Sequence, residues 1–141
     1  TPMIFGGVES DFSRWANLAD RNMEHFRDYS HNSQQFWLPS DSRFDDGEMV
    51  SAPAGRYQPN AWGLHDMHGN VWEWTRSDYD DSGDEGRSAD EYGGATTRKV
   101  VRGGSWFDRP SRSSSSFRLG YPAWQGVFNV GFRVVCENGE K

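Results

Sequence analysis

The chain has 141 residues, a mass of 16.1 kDa and a formal charge of −6 from 21 acids and 15 bases, which excludes a multidomain machine and gives no general attraction to phosphate backbones, so nucleic acid is not an expected partner. Leu, Ile, Val and Phe supply only 23 residues, a share that warns of disorder, but seven Trp and five Tyr reverse the warning because disordered chains are poor in rings. The reading is a loop-rich globular domain with an aromatic core, no uninterrupted apolar run of the ~18 residues a membrane span needs, and, with Cys136 its single cysteine, no internal disulfide.

In chain order, the first expected element is a short helix over 11–22, where Phe12, Trp15, Ala16 and Ala19 recur at helical spacing after Ser10. From 34 to 60 the prolines at 39, 53 and 59 punctuate polar text, which reads as loop. Three β segments are expected, at 69–75, 98–106 and 127–135. The last is the clearest, because Phe128, Val130, Phe132 and Val134 alternate with Asn129, Gly131 and Arg133, as a strand with one buried face should. Between the first two, residues 76–99 hold seven acids and read as a solvated excursion. The run Ser113–Ser116 reads as a turn or an exposed edge.

Nucleophilic catalysis finds little support, since there is no G-x-S-x-G elbow and Cys136 follows a strand as a packing residue would. His65 and His68 stand three apart without an adjoining ligand triad, too little for zinc or iron. Asp78, Asp80, Ser82 and Gly83 imitate the opening of an EF-hand loop, but Ala89 occupies the position of its closing carboxylate. A different cation reading survives at 66–73, where Asp66 and Glu73 flank a glycine turn, so that side-chain and main-chain oxygens could wrap a hard ion such as calcium.

Three segments together closely resemble the C-terminal half of the formylglycine-generating enzyme (sulfatase-modifying factor) family: GLHDMHGNVWEWT at 63–75, RKVVRGGSWFDRP at 98–110 and NVGFRVV at 129–135, supported by ANLAD at 16–20 and DDGEMVSAPAG at 45–55. The resemblance implies an α+β, C-type-lectin-like fold with little regular structure. The opening segments of the family pattern have no counterpart before Thr1, so it also implies a fold incomplete at its N-terminal side and a partner that is either the rest of the same domain or another chain. It further implies two structural calcium ions: one on the side chains of Asn17 and Asp46 with the carbonyls of Leu18 and Glu48, the other on Asp66 and Glu73 with the carbonyls of Gly69 and Val71. Asp66 stands where better-known members carry an amide.

Active members oxidise a sulfatase cysteine using oxygen and copper held by two cysteines. Here the corresponding positions fall on Asp108 and at or beside Ser113, and a carboxylate and a hydroxyl do not replace the thiolates that soft Cu(I) needs. Ser105 and Trp72 still match residues that shape the oxygen pocket. Copper is therefore not expected, and the leading reading is a non-catalytic, calcium-stabilised binding or structural module. The alternative is part of an oxygen-dependent enzyme, of the formylglycine-generating or sulfoxide-synthase type, whose metal centre comes from a missing region. A recognition surface is expected at 106–124, with Trp106, Phe107, Tyr121 and Trp124 as stiff rings and Asp108 and Arg112 as directional charge. At least two of those four rings would then have to be accessible around a concavity.

Overall fold

The computed structural model describes residues 1–23, 25, 40–79 and 98–136. The acidic excursion beyond Tyr79, including the EF-hand imitation at Asp80, Ser82, Gly83 and Ala89, lies outside them. Among the described residues the named elements are four strands, β1 (Trp72–Asp78), β2 (Arg98–Arg102), β3 (Leu119–Pro122) and β4 (Val130–Gly131), and a single-turn 3-10 helix at Pro110–Ser113. The strands form one mixed sheet in the order β3-β2-β1-β4, with β1 antiparallel to β2 and parallel to β4.

Two of the expected segments become strands at shifted bounds, and the shifts have local causes. β1 begins at Trp72 and not at residue 69 because Gly69 and Asn70 hold φ of +76° and +63°, the left-handed region that no strand uses. β2 carries the β-branched pair Val100 and Val101 into the core and stops at Arg102, since Gly103 and Gly104 follow with φ of +98° and +79°. β3 falls inside the 106–124 stretch, where no strand is expected. Its LGYP sequence lacks alternation, and it is held by pairing with β2 from Arg98↔Pro122 to Val101↔Leu119.

The other two expectations are corrected. Residues 127–135 do not form one strand with a buried face: only Val130 and Gly131 pair, and Phe128, Phe132 and Val134 are 71–75% exposed. Alternation assigns side chains to two faces but does not supply the layer that covers one of them, and none of the described residues does so here. The 11–22 segment is not a helix either. Phe12 closes one turn by accepting the amides of Trp15 and Ala16, after which the backbone is drawn into long-range bonds. The Leu18 amide goes to Asp46, that of Ala19 to the Asp108 carbonyl, and the Asn17 carbonyl accepts the Asn70 amide, which leaves no i→i−4 ladder.

The core is aromatic, as composition implied. Phe12, Ala16 and Leu18 pack with Phe5 and Phe44, while Ala19, Met23 and Trp106 pack with Phe107. Trp72 is fully buried and lies 5.9 Å from the Phe117 ring. These clusters clamp the N-terminal turns onto the loop after β2, which brings residues 17–20, 66–73 and 103–113 together.

Candidate functional site

At the centre of this junction sits a closed polar cluster built on Asp108. Its Oδ2 accepts the Trp72 indole N–H at 2.8 Å and the Ser105 hydroxyl at 2.5 Å, and its Oδ1 accepts from Arg112 at 3.2 Å. Ser105 Oγ in turn accepts from Asn129 Nδ2 at 2.8 Å. Asp108, Ser105, Trp72 and Asn129 are all buried, so each bond is made in a medium where an unpaired partner would be costly. Ser113, also buried, donates its hydroxyl to the Gly103 carbonyl at 2.9 Å. The positions that a two-thiolate copper site would need are therefore taken by a carboxylate already accepting three hydrogen bonds and a hydroxyl spent on the backbone. The only sulfur nucleophile, Cys136, is exposed. These residues do not fit copper.

Around the cluster lie the two oxygen-bearing loops. Two buried side-chain oxygens lack a hydrogen-bond partner among the described residues, Asn17 Oδ1 and Asp66 Oδ1, and one belongs to each expected calcium set. In the first set, Asn17 Nδ2 is committed to the Val50 carbonyl at 2.8 Å and to Asn70 Oδ1 at 3.3 Å, which orients the amide and leaves its oxygen unclaimed. Asp46 accepts the amides of Leu18 at 2.8 Å and Glu48 at 3.0 Å. Burial, and then the charge of Asp20, push the Asp46 carboxyl up to about 7. The Tyr57 hydroxyl, against the same carboxylate, is raised by burial and by that charge.

In the second set Asp66, Gly69, Val71 and Glu73 all line one open cavity of about 500 Å³. Asp66 Oδ2 accepts the Gly55 amide at 2.6 Å, and Glu73 is gripped by Arg133 through Nε at 3.0 Å and NH2 at 2.7 Å. The Arg133 NH2 also donates to the carbonyls of His65 and Asp66. Among the described residues no three His, Cys, Asp or Glu side chains converge, so either set would depend on main-chain carbonyls, a donor mixture that suits a hard cation.

Residues 6–138 match the profile described as sulfatase-modifying factor enzyme 1-like domain. The chain belongs to that family. Among its relatives are the inactive C-alpha-formylglycine-generating enzyme 2 of Mus musculus, 29% identical over 140 residues (95% of this chain, 39% of the relative), and the formylglycine-generating enzyme of Streptomyces coelicolor, 35% identical over 112 residues (76% and 35%). The chain spans about two fifths or less of the length of these curated relatives. Among solved structures, PvdO from Pseudomonas aeruginosa aligns with a TM-score of 0.59 at 24% identity, covering 93% of this chain and 42% of that one. CarF aligns with a TM-score of 0.50 at 23% identity, covering 84% and 31%. Both likenesses concern the fold alone.

Within this sulfatase-modifying-factor domain the expected recognition residues are not gathered on one surface. Trp106 is buried against Ala19 and Met23, Phe107 is half-buried against Trp106 and Phe128, and Tyr121 packs edge-on against Trp74. Asp108 is buried, and the half-exposed Arg112 is paired to it. Trp124 is 74% exposed, and Phe107 and Tyr121 are half-buried. Of the four rings only Trp106 is part of the buried core.

Sequence reasoning missed the bridging roles of Asn70, Asn129 and His68. Asn70 accepts the Ala52 amide at 2.8 Å, donates to the Ala52 carbonyl at 3.1 Å and meets Asn17, stapling three segments. His68 donates from Nδ1 to the Ser113 carbonyl at 2.7 Å and accepts the Ile4 amide at Nε2, an arrangement open only to the neutral ring; burial lowers its pKa in the same sense. The available signals were weak, a glycine beside Asn70 and an asparagine opening the last motif.

Proposed function

We propose that the domain is a non-catalytic, calcium-stabilised binding or structural module of the sulfatase-modifying factor family, acting as an accessory part of a larger assembly. The observation that carries the reading is that Asp108 accepts from Trp72, Ser105 and Arg112 and that no thiolate stands with it, so the cluster offers no soft donor where an oxidising site would stand. The reading includes the C-type-lectin-like arrangement, in keeping with a small mixed sheet amid loops. The exposed Phe128, Phe132, Val134 and Val135 support contact with further polypeptide, either more of the same domain or another chain.

Asn17, Asp46 and the Leu18 and Glu48 carbonyls would hold one calcium ion, and Asp66, Glu73 and the Gly69 and Val71 carbonyls the other. Bound calcium would supply charge neutralisation and a rigid node between loops, with no redox step. The residues contribute pre-orientation: Asn70 turns the Asn17 amide, and Gly55 fixes one oxygen of Asp66. Because a ligand that binds only the native state stabilises it by mass action, saturating calcium should raise the melting midpoint by about 5–10 °C over chelated protein. Equal midpoints in protein shown to be metal-free after chelation would remove calcium from the reading.

The non-catalytic half is checked separately. A sulfatase-type cysteine peptide incubated with the protein and oxygen, with or without added copper, should yield no aldehyde by mass spectrometry. Catalytic turnover to the aldehyde would overturn it.

A further inference from the structure

A second cleft, of about 220 Å³, lies between the 60–67 turn and the serine run, with Ile4 at its rim. Its outer wall is an exposed indole on a stiff mount. Trp62 is 85% exposed, yet the turn that carries it is locked by four hydrogen bonds: Asn60 Oδ1 accepts the amides of Trp62 and Leu64, the Asn60 amide donates to the Leu64 carbonyl, and the Gly63 amide donates to the Asn60 carbonyl. An indole held this way contributes almost no burial to folding. The facing wall is equally fixed: the Ser115 amide and hydroxyl both donate to the Pro2 carbonyl, and Ser113 is tied to Gly103 and His68.

Charge decides what such a cleft accepts. Arg102 and Glu73 line it from paired positions on β2 and β1. The Glu73 carboxylate is taken by Arg133 on both oxygens, whereas Arg102, among the described residues, bonds only to the Ser115 carbonyl and has no carboxylate partner. One guanidinium charge is thus left over beside an aromatic face, in a chain whose net charge is −6. The volume falls below the roughly 300–1,000 Å³ of pockets that enclose a whole cofactor and suits one side chain.

We infer that this cleft takes an acidic side chain of a partner polypeptide, with Arg102 receiving the carboxylate and Trp62 serving as the aromatic anchor for the adjoining residue. The inference rests on the binding-module reading and names the partner chemistry for it. It also moves the aromatic anchor from the rings at 106–124 to Trp62, while Ser113, Ser114 and Ser115 of that stretch still line the cleft.

The test uses two immobilised heptapeptide libraries, randomised at six positions with either Glu or Gln at the centre, probed with the full chain at low salt. Capture on the Glu library should exceed the Gln library by about tenfold and fall with ionic strength. Trp62→Ala and Arg102→Met should reduce it to the Gln level while melting stays within about 2 °C of the parent, as expected for an exposed ring and a surface charge. Arg102→Lys, which keeps the charge without the fork, should retain part of the capture. Equal capture on the two libraries, or undiminished capture by Arg102→Met, overturns the inference. So does binding of free glutarate alone with no peptide captured, which would make the cleft a small-carboxylate site. Capture that ignores both substitutions overturns this cleft but leaves the module reading standing, since that reading falls on aldehyde formation instead.

Discussion

Gly69→Ala is expected to abolish cooperative folding. A Cβ at this position would lie 2.2 Å from the Asn17 carbonyl oxygen, 2.9 Å from the carbonyl carbon and 3.0 Å from Leu18 Cδ2, and φ is already +76°. The first two contacts are backbone, and neither strand of the contact can retreat. Asn17 and Gly69 form a parallel bridge, the Asn70 amide donates to the Asn17 carbonyl at 2.8 Å, and the Gly69 amide donates to the Gly103 carbonyl at 2.8 Å. Left-handed strain alone costs about 1–2 kcal/mol, and the steric term takes the total above ~4 kcal/mol, a large share of the roughly 5–15 kcal/mol that holds a domain folded. Gly63→Ala is the matching control, with the same φ of +76° but nothing within 4 Å of the added carbon. It should show the backbone strain and nothing more. Circular-dichroism melts of both variants separate the terms, and a Gly69→Ala midpoint equal to that of Gly63→Ala would refute the clash.

Asp108→Ala should produce the next largest loss, about 2–5 kcal/mol, because it strands the Trp72 indole N–H and the Ser105 hydroxyl in the interior. Asp108→Asn, which can keep one oxygen facing both donors, should lose less than half as much. Arg112→Ala should cost under ~1 kcal/mol, since that side chain is 54% exposed and its pairing is screened by water. Urea unfolding of the three variants reads this ranking. If Asp108→Ala unfolds like the parent, the cluster is not the internal cross-link described above, and if Arg112→Ala ranks first, the ion pair and not the buried bonds holds Asp108.

The order of these effects follows from where information resides in the chain. Motif text alone pointed to the family and to the expectation of a carboxylate at 108 and a hydroxyl at or beside 113 where active members carry cysteines, because those statements concern which residue stands where. The aromatic share of the core was legible for the same reason: a chain with few aliphatics must draw on its rings for buried apolar surface. The strands around Trp72 and Val100 were legible because β-branched and aromatic residues cluster there. The 11–22 helix failed because its apolar spacing, though helical, belongs to a segment whose amides and carbonyls are claimed by Asp46, Asn70 and Asp108 from 28 or more residues away. Local periodicity carries no record of such competitors.

The sequence by itself thus determined the family, the aromatic share of the core and the presence of a carboxylate at 108 and a hydroxyl at 113. Tertiary structure alone decided how positions 108 and 113 are used: Trp72 and Ser105 converge on Asp108 from β1 and the loop after β2, Asn129 from the turn before β4 donates to Ser105, and only their burial turns ordinary polar residues into a closed cluster. It also decided exposure, leaving Phe132 and Val134 outside while taking Trp106 in. An alternating or aromatic pattern states that a face is apolar, whereas whether that face meets another layer depends on how distant segments pack, and no single segment encodes it.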